Sequence, residues 1–159
     1  MNGSNLLKLV ACLAVVLAAG GIGSLATTKA IPTWYKDLTK PSFNPPSWLF
    51  GPAWTVLYLM MAVAAWLVWK QGLGAAGVKL ALAVFLAQLV LNALWSVLFF
   101  GFRSTLAGLV GISGLWFAIL ATIVLFFRVS IPAGVLLLPY IGWVSFAAIL
   151  NAAILRLNR

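Results

Sequence analysis

Residues 33–58 read TWYKDLTKPSFNPPSWLFGPAWTVLY, and the fold turns on how this stretch divides. Its first half holds the only acid of the chain, Asp37, three of the four prolines before residue 50 (Pro41, Pro45, Pro46) and two of the ten basic residues, Lys36 and Lys40. Its second half runs without a break into an apolar segment ending at Trp69. Proline has no backbone N–H and breaks a helix interior, yet its fixed φ suits a helix start. Pro45-Pro46 therefore separates a rigid aromatic loop from a helix that opens near Trp48. That loop, bearing Trp34, Tyr35, Pro41 and Phe43, is either a lid over a site or a connector.

Outward from this stretch the chain resolves into five apolar segments: Leu6–Ala26, Trp48–Trp69, Val78–Phe102, Thr105–Phe127 and Pro132–Leu155. About 20 apolar residues span a bilayer as a helix. In hydrocarbon every backbone polar group must be satisfied internally, which leaves helices or closed barrels. These runs have helix length rather than the ten-residue alternation of barrel strands. The expected fold is an all-α integral membrane protein. It is a single domain over residues 1–159, a five-transmembrane-helix bundle with a long Pro/Trp-rich loop between the first two helices. Composition agrees: 65% of residues are hydrophobic and 7% charged, with mean hydropathy +1.16, whereas about a quarter of a soluble domain is charged.

The first segment, with Lys8 near its start followed by an apolar run, also has the outline of a secretory signal. Gly20, Gly21, Gly23 and Ser24 suit close helix packing and favour a retained helix. Pro139, inside the fifth segment, is expected to kink it one turn from Trp143. An odd number of spans places the termini on opposite sides. Lys29, Lys36, Lys40, Arg103, Arg156 and Arg159 fall on the loop side, against Lys8, Lys70, Lys79 and Arg128 on the other. By the positive-inside rule the C-terminus is expected to be cytoplasmic.

Composition also removes function classes. The net charge of +9 comes from basic residues scattered singly between apolar runs, which suits lipid head groups rather than nucleic acid. With no histidine, one acid and one cysteine, Cys12, the chain offers no metal site, no paired carboxylates, no catalytic triad and no disulfide framework. Any chemistry must use aromatic, amide and hydroxyl groups, or come from the ligand.

Such groups fall on helical stripes. Gln88, Asn92 and Trp95 share one face of the third helix, Tyr140, Trp143, Ala147 and Asn151 one face of the fifth, and Trp54, Tyr58 and Met61 one face of the second. Amides in a membrane helix face the bundle interior. Gln88 and Asn92 are thus either inter-helix glue or handles for a ligand. If the stripes converge, they wall an apolar cavity suited to a flat hydrophobic molecule. Trp66, Trp69 and Trp116 are read as lipid-facing or belt residues, and Asp37 as a partner for a nearby cation or a turn cap. Gly20/Ser24 and Gly114/Ala118 are small-residue pairs that serve either bundle packing or subunit pairing.

Three motifs together, WYKDLTKPSFNPPSWLFGPAWTVLY, QLVLNALWSVLFFGFR and PYIGWVSFAAILN, resemble the tryptophan-rich sensory protein/translocator protein (TspO/MBR, peripheral-type benzodiazepine receptor) family. The resemblance runs from Trp34 to Arg159. It implies five transmembrane helices, a homodimer, and binding of porphyrins, notably protoporphyrin IX, with no cofactor required. Benzodiazepine-type ligands and a role in tetrapyrrole sensing, scavenging or transport are implied as well.

Carried onto this chain, the resemblance marks Trp54 and Trp143 as pocket walls. It adds Phe50, Gly51 and Ala53 on helix two, Asn92 and Trp95 on helix three, and Ala147 and Leu150 on helix five. Tyr58, Gln88 and Tyr140 complete the expected site, beneath a lid of Trp34, Tyr35, Pro41, Phe43, Pro45 and Pro46. Light- and oxygen-dependent porphyrin degradation by Trp54 and Trp143 is the alternative activity the family implies. Sterol binding is a weaker one, because Ala152 and Ala153 stand where animal members carry tyrosines. Ala107 likewise replaces a helix-four tryptophan of the animal pocket.

Overall fold

The computed structural model describes residues 3–159; Met1 and Asn2, the first two residues of the expected domain, lie outside the described residues. Helix α1 covers Gly3–Ala30 and continues as a π-helical turn, Ile31–Tyr35. A 3₁₀ turn, Ser47–Leu49, leads into α2, Phe50–Trp69. Helix α3, Val78–Ser96, ends in a second π-helical turn, Val97–Gly101, and α4 follows as Thr105–Val129. The last span is divided into α5, Ile131–Leu136, and α6, Leu138–Leu157. Five stretches are long and apolar enough to cross a membrane, and no strand occurs among the described residues.

The first span outruns its sequence expectation. The hydroxyls of Thr27, Thr28 and Thr33 donate back to the carbonyls of Gly23, Ser24 and Lys29 at 2.8–2.9 Å, so polarity there does not end the helix. Pro32 supplies no N–H, and the wider π turn takes up its ring without stopping the chain. Trp34 and Tyr35 therefore sit on the end of the first helix, a correction to their placement in the loop. Pro139 acts as expected. Its missing N–H and its ring, set against the Val135 carbonyl, break the last span at Leu137.

The spans close into a ring. Helix α1 packs on α2 and α3, α3 on α4, and α4 on both halves of the last span, which returns to α2. That return is made mainly by α5, so α2 and α6 part company toward the lid. Away from the lid the ring is filled by Phe85 stacked on Phe126 (5.6 Å) and by Val68, Val78, Ile119 and Leu137, all buried. Large apolar side chains such as Leu7, Ile22, Val90, Val110 and Ile149 point outward, as a surface solvated by lipid requires.

Candidate functional site

Where α2 and α6 separate, the ring encloses a cavity of about 580 Å³, within the range of small-molecule sites. From α2 it takes Phe50, Gly51, Trp54, Thr55 and Tyr58. From the α3 end come Trp95, Ser96, Phe99 and Phe100, and from α6 Ala147, Leu150, Asn151 and Ile154. The fourth wall is α1, from Leu17 to Ile31, with Tyr35 above it. The aromatic groups form a continuous surface. Trp54 stacks on Tyr58 at 5.6 Å and lies 5.9 Å from Trp95, which stacks on Phe99 at 6.1 Å. Offset and edge-on ring packing of this kind holds each ring rigid, so the wall is pre-formed.

Beneath the cavity a buried polar chain ties three helices together. The Tyr58 hydroxyl donates to Asn92 Oδ1 (2.8 Å), and Asn92 Nδ2 donates to the Tyr140 hydroxyl (2.9 Å). Tyr140 in turn donates to Gln88 Oε1 at 2.9 Å. Gln88 Nε2 reaches Met61 Sδ at 3.9 Å. Gln88, Asn92 and Tyr140 are each 1% exposed and none touches the cavity. Their hydrogen-bonding capacity is spent on one another, so they act as glue rather than as handles; only Tyr58 serves both chain and wall.

Two expected wall residues lie elsewhere. Ala53 and Trp143 line a shallow outer groove between α2 and α6, together with Pro52, Val56, Pro139 and Phe146. Ala53 is about 100° around the helix from Trp54 and so faces this groove. Trp143 and Phe50 pack edge-to-face at 6.2 Å, and of the two rings only Phe50 lines the cavity. The indoles at the cavity wall are those of Trp54, Trp95 and Trp48.

The lid is held at three points. Tyr35 Oη donates to Asn44 Oδ1 at 2.8 Å, and Phe43 meets Phe146 at 6.4 Å. Asn158, just past α6, grips the backbone of Thr39 from both sides. The Thr39 N–H donates to Asn158 Oδ1 (2.9 Å) and Asn158 Nδ2 donates to the Thr39 carbonyl (2.9 Å). Pro41, Pro45 and Pro46 shape this loop but do not reach the cavity. Asp37 is exposed, and its carboxylate has neither ion pair nor cap among the described residues, which corrects its expected role. Trp66 and Trp116 are also more than belt residues, since their indole N–H groups donate to Asn5 O (2.9 Å) and Ser145 Oγ (2.8 Å) and fasten neighbouring helices.

Sequence reasoning missed the α1 wall. Gly20 and Gly23 do pack closely: a Cβ on Gly20 would lie 2.6 Å from the Tyr58 ring, and one on Gly23 2.9 Å from Ser96 Oγ. Gly21 has nothing within 4 Å, so one glycine cluster holds both a packing face and a cavity face. Three buried polar atoms lack a hydrogen-bond partner among the described residues: Trp95 Nε1 and Asn151 Oδ1, on cavity residues but shielded from the open space, and Trp143 Nε1 at the outer groove.

The five-span ring, the aromatic cavity and the lid coincide with the match to the model of the TspO/MBR family, which covers residues 11–157. The chain belongs to the TspO/MBR family. It is 49% identical to the tryptophan-rich protein TspO of Archaeoglobus fulgidus over 97% of this chain and 99% of the relative. It is 41% identical to the tryptophan-rich sensory protein of Cereibacter sphaeroides, over 86% of this chain and 85% of the relative. The human translocator protein is also 41% identical, over 79% of this chain and 75% of the relative. As a member of the TspO/MBR family the chain is a multi-pass integral membrane protein. The family match contains every wall residue of the cavity, while Asn158 lies one position beyond it.

Proposed function

We propose that the protein is a membrane receptor that binds porphyrins, such as protoporphyrin IX, and other flat hydrophobic molecules in the cavity under the lid. The observation that carries this reading is the wall formed by Tyr58, Trp54, Trp95 and Phe99, four rings each in contact with the next along a largely apolar space. Stacked, rigid rings offer a flat ligand extensive dispersion contact at little entropic cost.

The test is quenching of tryptophan fluorescence by protoporphyrin IX in nanodiscs. Trp54→Ala removes a ring from the wall and is expected to weaken binding by at least about tenfold, the worth of a partly lost aromatic contact. Trp143→Ala, at the outer groove, is expected to change it by less than about threefold. Equal affinity in the Trp54 variant and the wild type would overturn the reading.

A further inference from the structure

The geometry points to a sideways access route: the ligand passes between the bilayer and the cavity through a slot between α1 and α2, while the lid stays shut. This rests on the cavity being a site for a flat hydrophobic ligand. The two helices touch at Gly20 and Tyr58 and diverge toward the lid. Above that contact Gly21, Ser24 and Thr28 on α1 and Gly51 and Thr55 on α2 all line the cavity and are all exposed on the outer surface. A residue that does both marks a mouth. From Gly21 to Thr28 the α1 lip is roughly 10 Å long at the rise of an α-helix. A Cβ added at Gly21 or at Gly51 would meet nothing within 4 Å, so the gap is open at both lips.

The chemistry of the lips suits hydrocarbon. Ser24 Oγ donates to the Gly21 carbonyl (2.8 Å), Thr28 Oγ1 to Ser24 O (2.8 Å) and Thr55 Oγ1 to Gly51 O (2.9 Å). Each hydroxyl is turned back on its own helix, so the slot presents methyl and methylene groups and asks no hydrogen bond of a passing molecule. Behind the slot the wall is the aromatic surface of Trp54, Tyr58, Trp95 and Phe99. The lid is closed by direct bonds, above all the double grip of Asn158 on Thr39. A hydrophobic ligand dissolved in the membrane already faces the slot, whereas passage under the lid would require breaking that grip and crossing the polar interface.

The experiment compares wild type, a Gly21→Leu/Gly51→Leu double variant and Asn158→Ala in nanodiscs, with two readouts. The first is the stopped-flow rate of fluorescence quenching by protoporphyrin IX. The second needs no porphyrin. A cavity thiol, Ser96→Cys in a Cys12→Ala background, is labelled with bilayer-dissolved pyrene maleimide or with a membrane-impermeant sulfonated maleimide. The leucines fill open space and are expected to slow quenching and pyrene labelling at least tenfold with thermal stability unchanged, while Asn158→Ala leaves both rates alone. Sideways access is overturned if the plugged variant labels at the wild-type rate, if Asn158→Ala accelerates labelling, or if the sulfonated reagent is the faster. It is also overturned if wild type runs as a dimer that the leucines break, since the slot is then covered by a second copy. Absence of porphyrin quenching in wild type defeats the proposed ligand, and the labelling arm still decides the route.

Discussion

The two ends of the bundle use the same residue types and reach opposite results. Below Tyr58, amides and tyrosines meet across three helices and consume each other's hydrogen bonds, as in Tyr58–Asn92–Tyr140–Gln88. Above it, the indoles of Trp54 and Trp95 and the rings of Phe99 and Phe100 line a void that no side chain fills. Buried polar groups stabilise when paired and cost free energy when not. One end is therefore built for stability and the other keeps bare ring surface for a guest. Residue type does not decide which; the separation of α2 from α6 does.

That division can be broken by mutation. The largest effect is expected from Asn92→Leu, which removes two buried hydrogen bonds and should lower unfolding free energy by roughly 1–3 kcal/mol. Thermal denaturation in detergent measures it, and porphyrin affinity should move far less than stability. Next comes Gly108→Ala on α4, whose new methyl runs into the Phe99 ring and Asn151 Oδ1. Overpacking of about 1–3 kcal/mol, offset by the better helix propensity of alanine, leaves a net loss of roughly 1 kcal/mol. Because both neighbours line the cavity, affinity should fall along with the melting temperature. The smallest stability effect belongs to Trp95→Phe, which shortens a wall ring packed on Trp54 and Phe99. Part of the lost volume opens onto the cavity, so stability should fall by no more than about 1 kcal/mol, while porphyrin affinity drops about fivefold, the worth of a partly lost ring contact. If this variant were as destabilised as Asn92→Leu, the two ends would not differ in the way described.

How much of this was legible in the sequence depends on what each feature leaves behind. Five spans were readable because lipid enforces long apolar runs, and the break before Pro139 because proline acts locally. Asn92 and Trp95 share a helical stripe, but the stripe could not show that Asn92 meets Tyr58 and Tyr140 while Trp95 meets the void. That depends on how neighbouring helices are rotated. Trp143 lies on the same stripe as Ala147 and Leu150, yet it packs on Phe50 and Phe50 takes the place at the wall, a relation that pairs residues 93 positions apart. The α1 wall was hidden for another reason: glycines read as packing also make openings, and only the partner surface distinguishes the two. Asn158 gave no signal, since an exposed amide near a C-terminus looks like any solvated residue.

The buried chain of Tyr58, Asn92, Tyr140 and Gln88 also bears on how the molecule is made. It draws on the second, third and fifth spans, and Tyr140 leaves the ribosome 48 residues after Asn92. Until the last span is in place, Asn92 Nδ2 and Gln88 Oε1 lack the partner that satisfies them in the finished bundle. Unpaired amides in hydrocarbon are costly, so a nascent chain halted before Tyr140 is held back from settling fully into lipid. The polar tie that fixes the finished bundle thus also marks, during biosynthesis, whether the bundle is complete.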